Sequence, residues 1–242
     1  MFRPEFALAQ DVAKKAGRLI KESCDKDILS ADGKDIKMLM DKESEAFIID
    51  LLSESFDYPI LSEESGYNGT GEIVGIYWIV DPIDGTMNYS RGNPSACVSI
   101  ALWKDDEPIL GVIYNFYTDE MFYGCEGEGV FLNGEPLHKN SVPKNQAILA
   151  TGFPTYLSDD EDNLVQYIKL IKEYKKVRMI GSAALSIAYV VAGRFDAYME
   201  HSIKLWDVAA GLALCKECGV YYEFERVDSL YSLNVFCNSF SN

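Results

Sequence analysis

Residues 78–89 read WIVDPIDGTMNY: an apolar run strikes two aspartates three apart, then a glycine and a threonine. Residues 76–80 have the length and the β-branched and aromatic content of a strand, so Asp81 and Asp84 arrive at the end of a core element. Pro82 fixes its own φ and biases Asp81 toward extended geometry, which predicts a rigid bend with both carboxylates facing one point. Gly85 allows close backbone approach. The N–H groups of Gly85 and Thr86 are placed to open a helix whose positive end suits an anion such as phosphate. Taken alone, the pattern reads equally well as a turn in which Asp84 caps the next helix.

Two other segments bring more acid to element junctions. Residues 61–66 read LSEESG, with Glu63 and Glu64 behind a short apolar segment, and residues 205–211 read LWDVAAG, with Asp207 at the mouth of a helix. Ala209, Ala210 and Gly211 would let that helix pack its backbone closely against a neighbour. Two carboxylates 4 Å apart repel by about 4 kcal/mol at the effective dielectric near a protein surface, so a convergent cluster needs a counter-ion. All-oxygen donors select Mg2+, Ca2+ or Mn2+ over zinc.

Composition removes the competing chemistries. Only two histidines occur, His138 and His201, which leaves no room for sites built on several imidazoles. With 38 acidic against 22 basic residues the net charge is −16, the wrong sign for gripping nucleic acid or an anionic membrane. The six cysteines lack the dense spacing of a secreted disulfide framework, and no leader or 20-residue apolar run is evident, so a reduced, cytoplasmic setting is expected. Cys215 and Cys218 form C-x-x-C without the second pair a zinc site requires, and read as small apolar helix residues.

Apolar residues recurring three and four apart predict a helix over residues 4–20 and a second over 41–55, with a loop or hairpin between them. Alternating runs predict strands over 95–103, 109–117 and 120–123, closed by a turn at Asn133 and Gly134. Beyond residue 146 strand and helix take turns: strands at 147–151, 177–180 and 195–200, helices at 161–174, 183–191 and 208–218, and a last strand at 233–236. That order implies an α+β part over residues 1–146, carrying most of the acidic motifs, and an α/β part over 147–242, sharing one interface.

The ordered set E-E-S, D-P-I-D-G-T-x-N and W-D-x-A-A-G resembles the inositol monophosphatase family, Mg2+-dependent and Li+-sensitive phosphomonoesterases. The likeness runs over nearly the whole chain, through ILATGFP at 148–154 and RMIGSAAL at 178–185. It implies a layered αβαβα sandwich, usually dimeric, with two or three Mg2+ ions per site. The family's metal ligands fall on Glu63, Asp81, the carbonyl of Ile83, Asp84 and Asp207. Its water-activating pair falls on Thr86 and Asp41, with Glu63 beside them. The substrate-binding positions fall on Gly85, Thr86, Gly181, Ser182, Ala183 and Glu200, with Arg178 nearby. The implied reaction is in-line attack of a metal-activated water on a small phosphomonoester, inositol monophosphate or a similar polyol or sugar phosphate.

The resemblance leaves other esters open within the same fold: 3′-phosphoadenosine 5′-phosphate, fructose 1,6-bisphosphate, NADP and histidinol phosphate. From a different class, the chain could be a regulatory protein-binding subunit that keeps the fold. Three departures from the family pattern stand out. Met38 replaces a threonine three residues before Asp41, which should weaken the hydrogen bonding there. Lys34 and Lys37 match the family's mobile lysine loop poorly and read as solvated side chains. The sequence stops at Asn242, where the family usually continues into a closing helix, so an open sheet edge is expected. His201 reads as a surface residue, and His138 as part of a loop.

Overall fold

A computed structural model describes residues 2–23, 28–32, 35–70, 73–153, 161–227 and 231–240. Cys24, Lys34 and Pro154 lie outside them, and for Lys37 only the backbone is described. The chain begins with helix α1 (Arg3–Glu22), a hairpin of β1 (Ile28–Asp32) and β2 (Asp35–Met38), and helix α2 (Leu39–Ser53). Then come β3 (Ile60–Ser62), β4 (Gly66–Tyr67), β5 (Ile76–Asp84), the short helix α3 (Thr86–Ser90), β6 (Cys97–Lys104), β7 (Glu107–Asn115), β8 (Glu120–Cys125), β9 (Gly129–Leu132) and β10 (Glu135–Pro136). The second half runs β11 (Ile148–Thr151), α4 (Glu161–Ile171), β12 (Lys176–Arg178), α5 (Ala183–Val191), β13 (Ala197–Lys204), α6 (Leu205–Cys218), β14 (Tyr221–Arg226) and β15 (Ser232–Asn238).

An eight-stranded sheet in the order β10-β9-β8-β7-β6-β5-β3-β4 is antiparallel except where β3 runs beside β5. A five-stranded sheet, β12-β11-β13-β15-β14, is parallel over its first three strands and antiparallel beyond. Strand alternation explains how they stack. Trp78, Val80, Ile100 and Val112 face α1 and α2, meeting Val12, Ala16, Ile20 and Ile48. Tyr77, Ile79, Ala101 and Ile113 face the other way, onto Ile187, Ala210 and Leu214 of α5 and α6, which also cover Tyr198, Leu233 and Val235 of the smaller sheet. Tyr167 of α4 packs with Leu149 and Met199 on that sheet's outer face. The layers are therefore helix, sheet, helix, sheet, helix, as the resemblance implied. No helix among the described residues is long and apolar enough to cross a membrane.

Two local features position the chemistry. The register of β5 against β6 runs Asp81↔Ser99 and then Asp84↔Cys97, three residues on one strand against two on the other. Residues three apart on a regular strand face opposite sides, and this bulge turns Asp84 back to the side of Asp81. The strand thus carries on through Pro82 to Asp84, beyond the bend expected after Val80. The second feature is the close seat of α6 on the large sheet. A Cβ on Gly111 of β7 would stand 2.2 Å from the carbonyl oxygen of Ala210, so the small residues at 209–211 do bring backbone against backbone.

The long periodic runs form the expected elements with ends displaced by up to three residues, as where α4 stops at Ile171 and α2 spans Leu39–Ser53. α5 covers 183–191 as predicted, whereas α6 starts at Leu205, which places Asp207 inside its first turn. The strands β9, β10 and β14 were not foreseen. They are short or exposed, with too little apolar alternation to register.

Candidate active site

Asp81, Asp84 and Asp207 meet between the layers, and one carboxylate oxygen from each lies within 4.8 Å of the other two. They line a cavity of about 530 Å3 with Glu63, Ile83, Gly85, Thr86, Gly181, Ser182, Ala183 and Glu200. The structure thus brings together every sequence-predicted site residue except Asp41, which stands behind Thr86. Thr86 Oγ1 donates to the Ile83 carbonyl at 3.0 Å and reaches Asp41 Oδ1 at 3.5 Å. The expected weakening at Met38 does not extend to its main chain: the Met38 N–H donates to Asp41 Oδ2 at 2.8 Å, and the side chain is buried in the core.

Asp84 is held from the far half of the chain. The N–H groups of Ala184 and Ala183 donate to its two oxygens at 2.8 and 3.3 Å, the Ser182 hydroxyl donates to Oδ2, and the Cys97 thiol lies 3.7 Å from Oδ2. The positive end of α5 therefore points at a protein carboxylate. Ser182 also caps α5 by accepting from the Leu185 N–H at 3.3 Å. Asn88 of α3 fastens the same corner, donating to the carbonyls of Ile180 and Ser95 at 2.8 Å each. Gly85 has φ +90°, and a Cβ there would come within 2.7 Å of the Ser95 carbonyl oxygen. Gly85 and Thr86 do open a helix, α3, which is five residues long.

Glu200 crosses from β13 to the cavity, accepting from the Tyr198 hydroxyl at 2.9 Å. Its neighbour His201 points the opposite way, into a groove of about 590 Å3 on the outer face of the small sheet, away from the carboxylates. Arg178 is exposed and donates to the Val177 carbonyl, outside the cavity lining. Thr151, Gly152 and Phe153 line the cavity without having been predicted as site residues. They follow the carboxyl end of a strand in the parallel part of the small sheet, where α/β folds place their ligands, and that rule would have found them.

The cavity lining holds five carboxylates and no lysine, arginine or histidine among the described residues. Burial raises the pKa of each of them, and repulsion between carboxylates adds to it at Glu63, Asp81, Glu200 and Asp207. Glu63 is pushed up to about 8, first by burial and then by the charge of Asp41, and Glu200 to about 7 by burial. Burial also raises Asp84 and, helped by neighbouring carboxylates, drives Asp81 and Asp207 well above the usual range. A hard cation suits this donor set, because it removes the repulsion and accepts only oxygen ligands.

These shifts carry a sign. A carboxyl raised in the folded state adds stability below its unfolded value of about 4, and that stability is lost as the pH rises through the folded value. The metal-free protein is therefore expected to lose stability between about pH 4 and the values near 7 and 8 of Glu200 and Glu63. Metal must displace those protons, so the rise in Tm on adding Mg2+ should be larger at pH 8.5 than at pH 5.5. Thermal unfolding with and without Mg2+ at the two pH values measures it, and an equal rise at both would contradict the protonation described.

A layered fold with a buried, all-oxygen donor set suits a metal-assisted phosphatase. The sequence profile of the inositol monophosphatase family matches residues 3–228, and the chain belongs to that family. It is 36% identical over 237 residues to Nus factor SuhB of Xylella fastidiosa, covering 95% of this chain and 85% of that protein. It is 34% identical over 225 residues to the fructose-1,6-bisphosphatase/inositol-1-monophosphatase of Aquifex aeolicus, covering 89% and 83%. The solved inositol monophosphatase of Anabaena (Nostoc) sp. PCC 7120 superposes with a TM-score of 0.85 at 30% identity, covering 99% of this chain and 92% of that one.

Proposed function

We propose that the protein is a Mg2+-dependent phosphatase of a small polyol or sugar phosphomonoester, with inositol monophosphate the first substrate to try. The observation that carries this reading is the convergence of Asp81, Asp84 and Asp207 oxygens within 4.8 Å in a cavity that has no basic side chain among the described residues lining it. Glu63, Asp81, Asp84, Asp207 and the Ile83 carbonyl are the donors for two or three Mg2+ ions. When bound, these ions neutralise the phosphate, lower the pKa of a water and stabilise the departing alkoxide.

The chain's own residues do the positioning. Thr86, backed by Asp41, orients the attacking water. Glu200, steadied by the Tyr198 hydroxyl, accepts a hydrogen bond from a hydroxyl of the ester. Gly181, Ser182 and Ala183 set the cavity wall against the phosphate, close to the Gly85 backbone. A homodimer in the cytoplasm, with no nucleic-acid or membrane partner, belongs to the same reading. It is supported by the family resemblance and the charge of −16.

A panel assay of phosphate release with Mg2+ tests the substrate. Inositol monophosphate should be turned over with inhibition by millimolar Li+, ahead of fructose 1,6-bisphosphate, 3′-phosphoadenosine 5′-phosphate, NADP and histidinol phosphate. Preference for one of those esters would replace the substrate and keep the chemistry. The similarity to a protein named Nus factor SuhB favours one second reading, a regulatory subunit that uses the same fold to hold a partner. No release from any ester, together with specific capture of a protein partner, would support it.

A further inference from the structure

Glu45 is a buried acid that the proposed chemistry does not use. It lies on α2 one turn beyond Asp41, on the same inward face, and only 2% of it is exposed. An acid on a helix whose remaining inward residues are largely apolar calls for partners, since a buried carboxylate is costly unless it is hydrogen-bonded. Both of its oxygens have them. Oε2 accepts from the main-chain N–H of Glu64 at 2.8 Å, and Oε1 accepts from the Ser65 hydroxyl.

Those two donors belong to the turn that presents Glu63. Asp81 and Asp84 stand on β5, a strand paired on both sides, and Asp207 lies in the first turn of a 14-residue helix. Glu63 alone of the proposed side-chain ligands sits on a three-residue turn, between β3 and the two-residue edge strand β4. The strands pair Ser62 with Gly66 at the base of the turn, and Glu45 adds contacts to the two residues that follow Glu63. Charge-assisted hydrogen bonds are the strong kind, and Glu45 makes two to adjacent residues.

We propose that Glu45 is a positioning residue that sets the affinity of the site for its divalent cation, by locking the turn at residues 63–65 to the helix that carries Asp41. Glu63 and Asp41 then move as one unit, although 22 residues separate them in sequence. This rests on the proposed metal-dependent reading of the site. Without the lock, Glu63 samples positions outside the cradle, and each cation bound must first reorder the turn.

The test is calorimetric titration of Mg2+ into the intact, chelator-stripped protein, alongside thermal unfolding. Glu45→Ala should weaken Mg2+ binding about 10- to 100-fold, the range seen when groups supporting metal ligands are removed. Glu45→Gln keeps one oxygen for the Glu64 N–H and should stay within about threefold of wild type. The Mg2+ concentration for half-maximal phosphate release should rise with the dissociation constant, while the KM for the ester changes less. Should Glu45→Ala fail to fold, Ser65→Ala decides, because it removes one bond from an exposed side chain and should weaken binding about threefold. Wild-type Mg2+ affinity in Glu45→Ala, or in Ser65→Ala where that variant decides, would overturn the proposal even if Tm falls, leaving the metal-dependent reading intact. A wild-type protein that binds no Mg2+ would instead remove the cradle itself, and the role of Glu45 with it.

Discussion

Asp84→Asn should lower phosphate release by about 10³-fold or more at saturating Mg2+, a loss of about 4 kcal/mol of transition-state stabilisation. The carboxylate stands at the meeting point of the two halves, on the bulge of β5 and under the N-terminus of α5, which donates to it through Ala183 and Ala184. An amide of the same shape can accept from one side. Its NH2 group, however, confronts donors that surround Asp84, including the Ser182 hydroxyl and the Ala184 N–H. The variant therefore loses a charge from the cradle and acquires mismatched hydrogen bonds, with no change in side-chain volume. Kinetics with inositol monophosphate, checked by circular dichroism for an intact fold, measure the effect. Turnover within tenfold of wild type would remove Asp84 from the proposed machinery.

Gly111→Ala should destabilise the protein by about 3 kcal/mol or more, a fall in Tm of roughly 6–12 °C for a chain of this size. The added methyl meets main-chain atoms of α6, with the Ala210 carbonyl oxygen at 2.2 Å and its carbon at 2.9 Å, and neither can rotate away. Relief requires α6 to lift from the sheet. Asp207 moves with it, and an error of about 1 Å in placing a catalytic group can cost 10²-fold in rate, so kcat should fall as well. Gly134→Ala is the control. That glycine, unlike Gly111, has a positive φ, of 92°, and nothing lies within 4 Å of the added carbon. Its cost should stay near 1 kcal/mol with kcat unchanged. Equal losses in the two variants would show that the close seat of α6 on Gly111 adds nothing beyond the ordinary cost of replacing a glycine.

Much of the site was legible because its chemistry is written in short local motifs. D-P-I-D-G-T carries two proposed ligands, a carbonyl and a threonine on neighbouring residues, and W-D-x-A-A-G joins a proposed ligand to the small residues that seat its helix. What stayed hidden depends on contacts distant in sequence or on a break in periodicity. The bulge between Asp81 and Asp84 breaks the period-two rule by which strand faces are read, and nothing in D-P-I-D requires it over a bend. The clamp on Asp84 from α5 joins residues about 100 apart. Glu45 carries no signal of its own in the sequence, since an inward-facing carboxylate is recognisable only through the turn it holds. The alternation of elements in the second half showed an α/β part, and the layer order was readable from the family resemblance alone. The thin strands β9, β10 and β14 were not, because pairing with longer neighbours defines them more than their own residues do.

The central claim is that carboxylates from both halves of the chain form a cradle whose cation works on a phosphate ester. Phosphate release from inositol monophosphate by protein stripped with a chelator, followed as Mg2+ is returned, tests it most directly. Negligible release from the stripped protein and saturable recovery with Mg2+ are expected, with Asp207→Asn failing to recover at the Mg2+ concentration that saturates wild type. Undiminished release from the stripped protein, or full recovery by Asp207→Asn at that concentration, would contradict it.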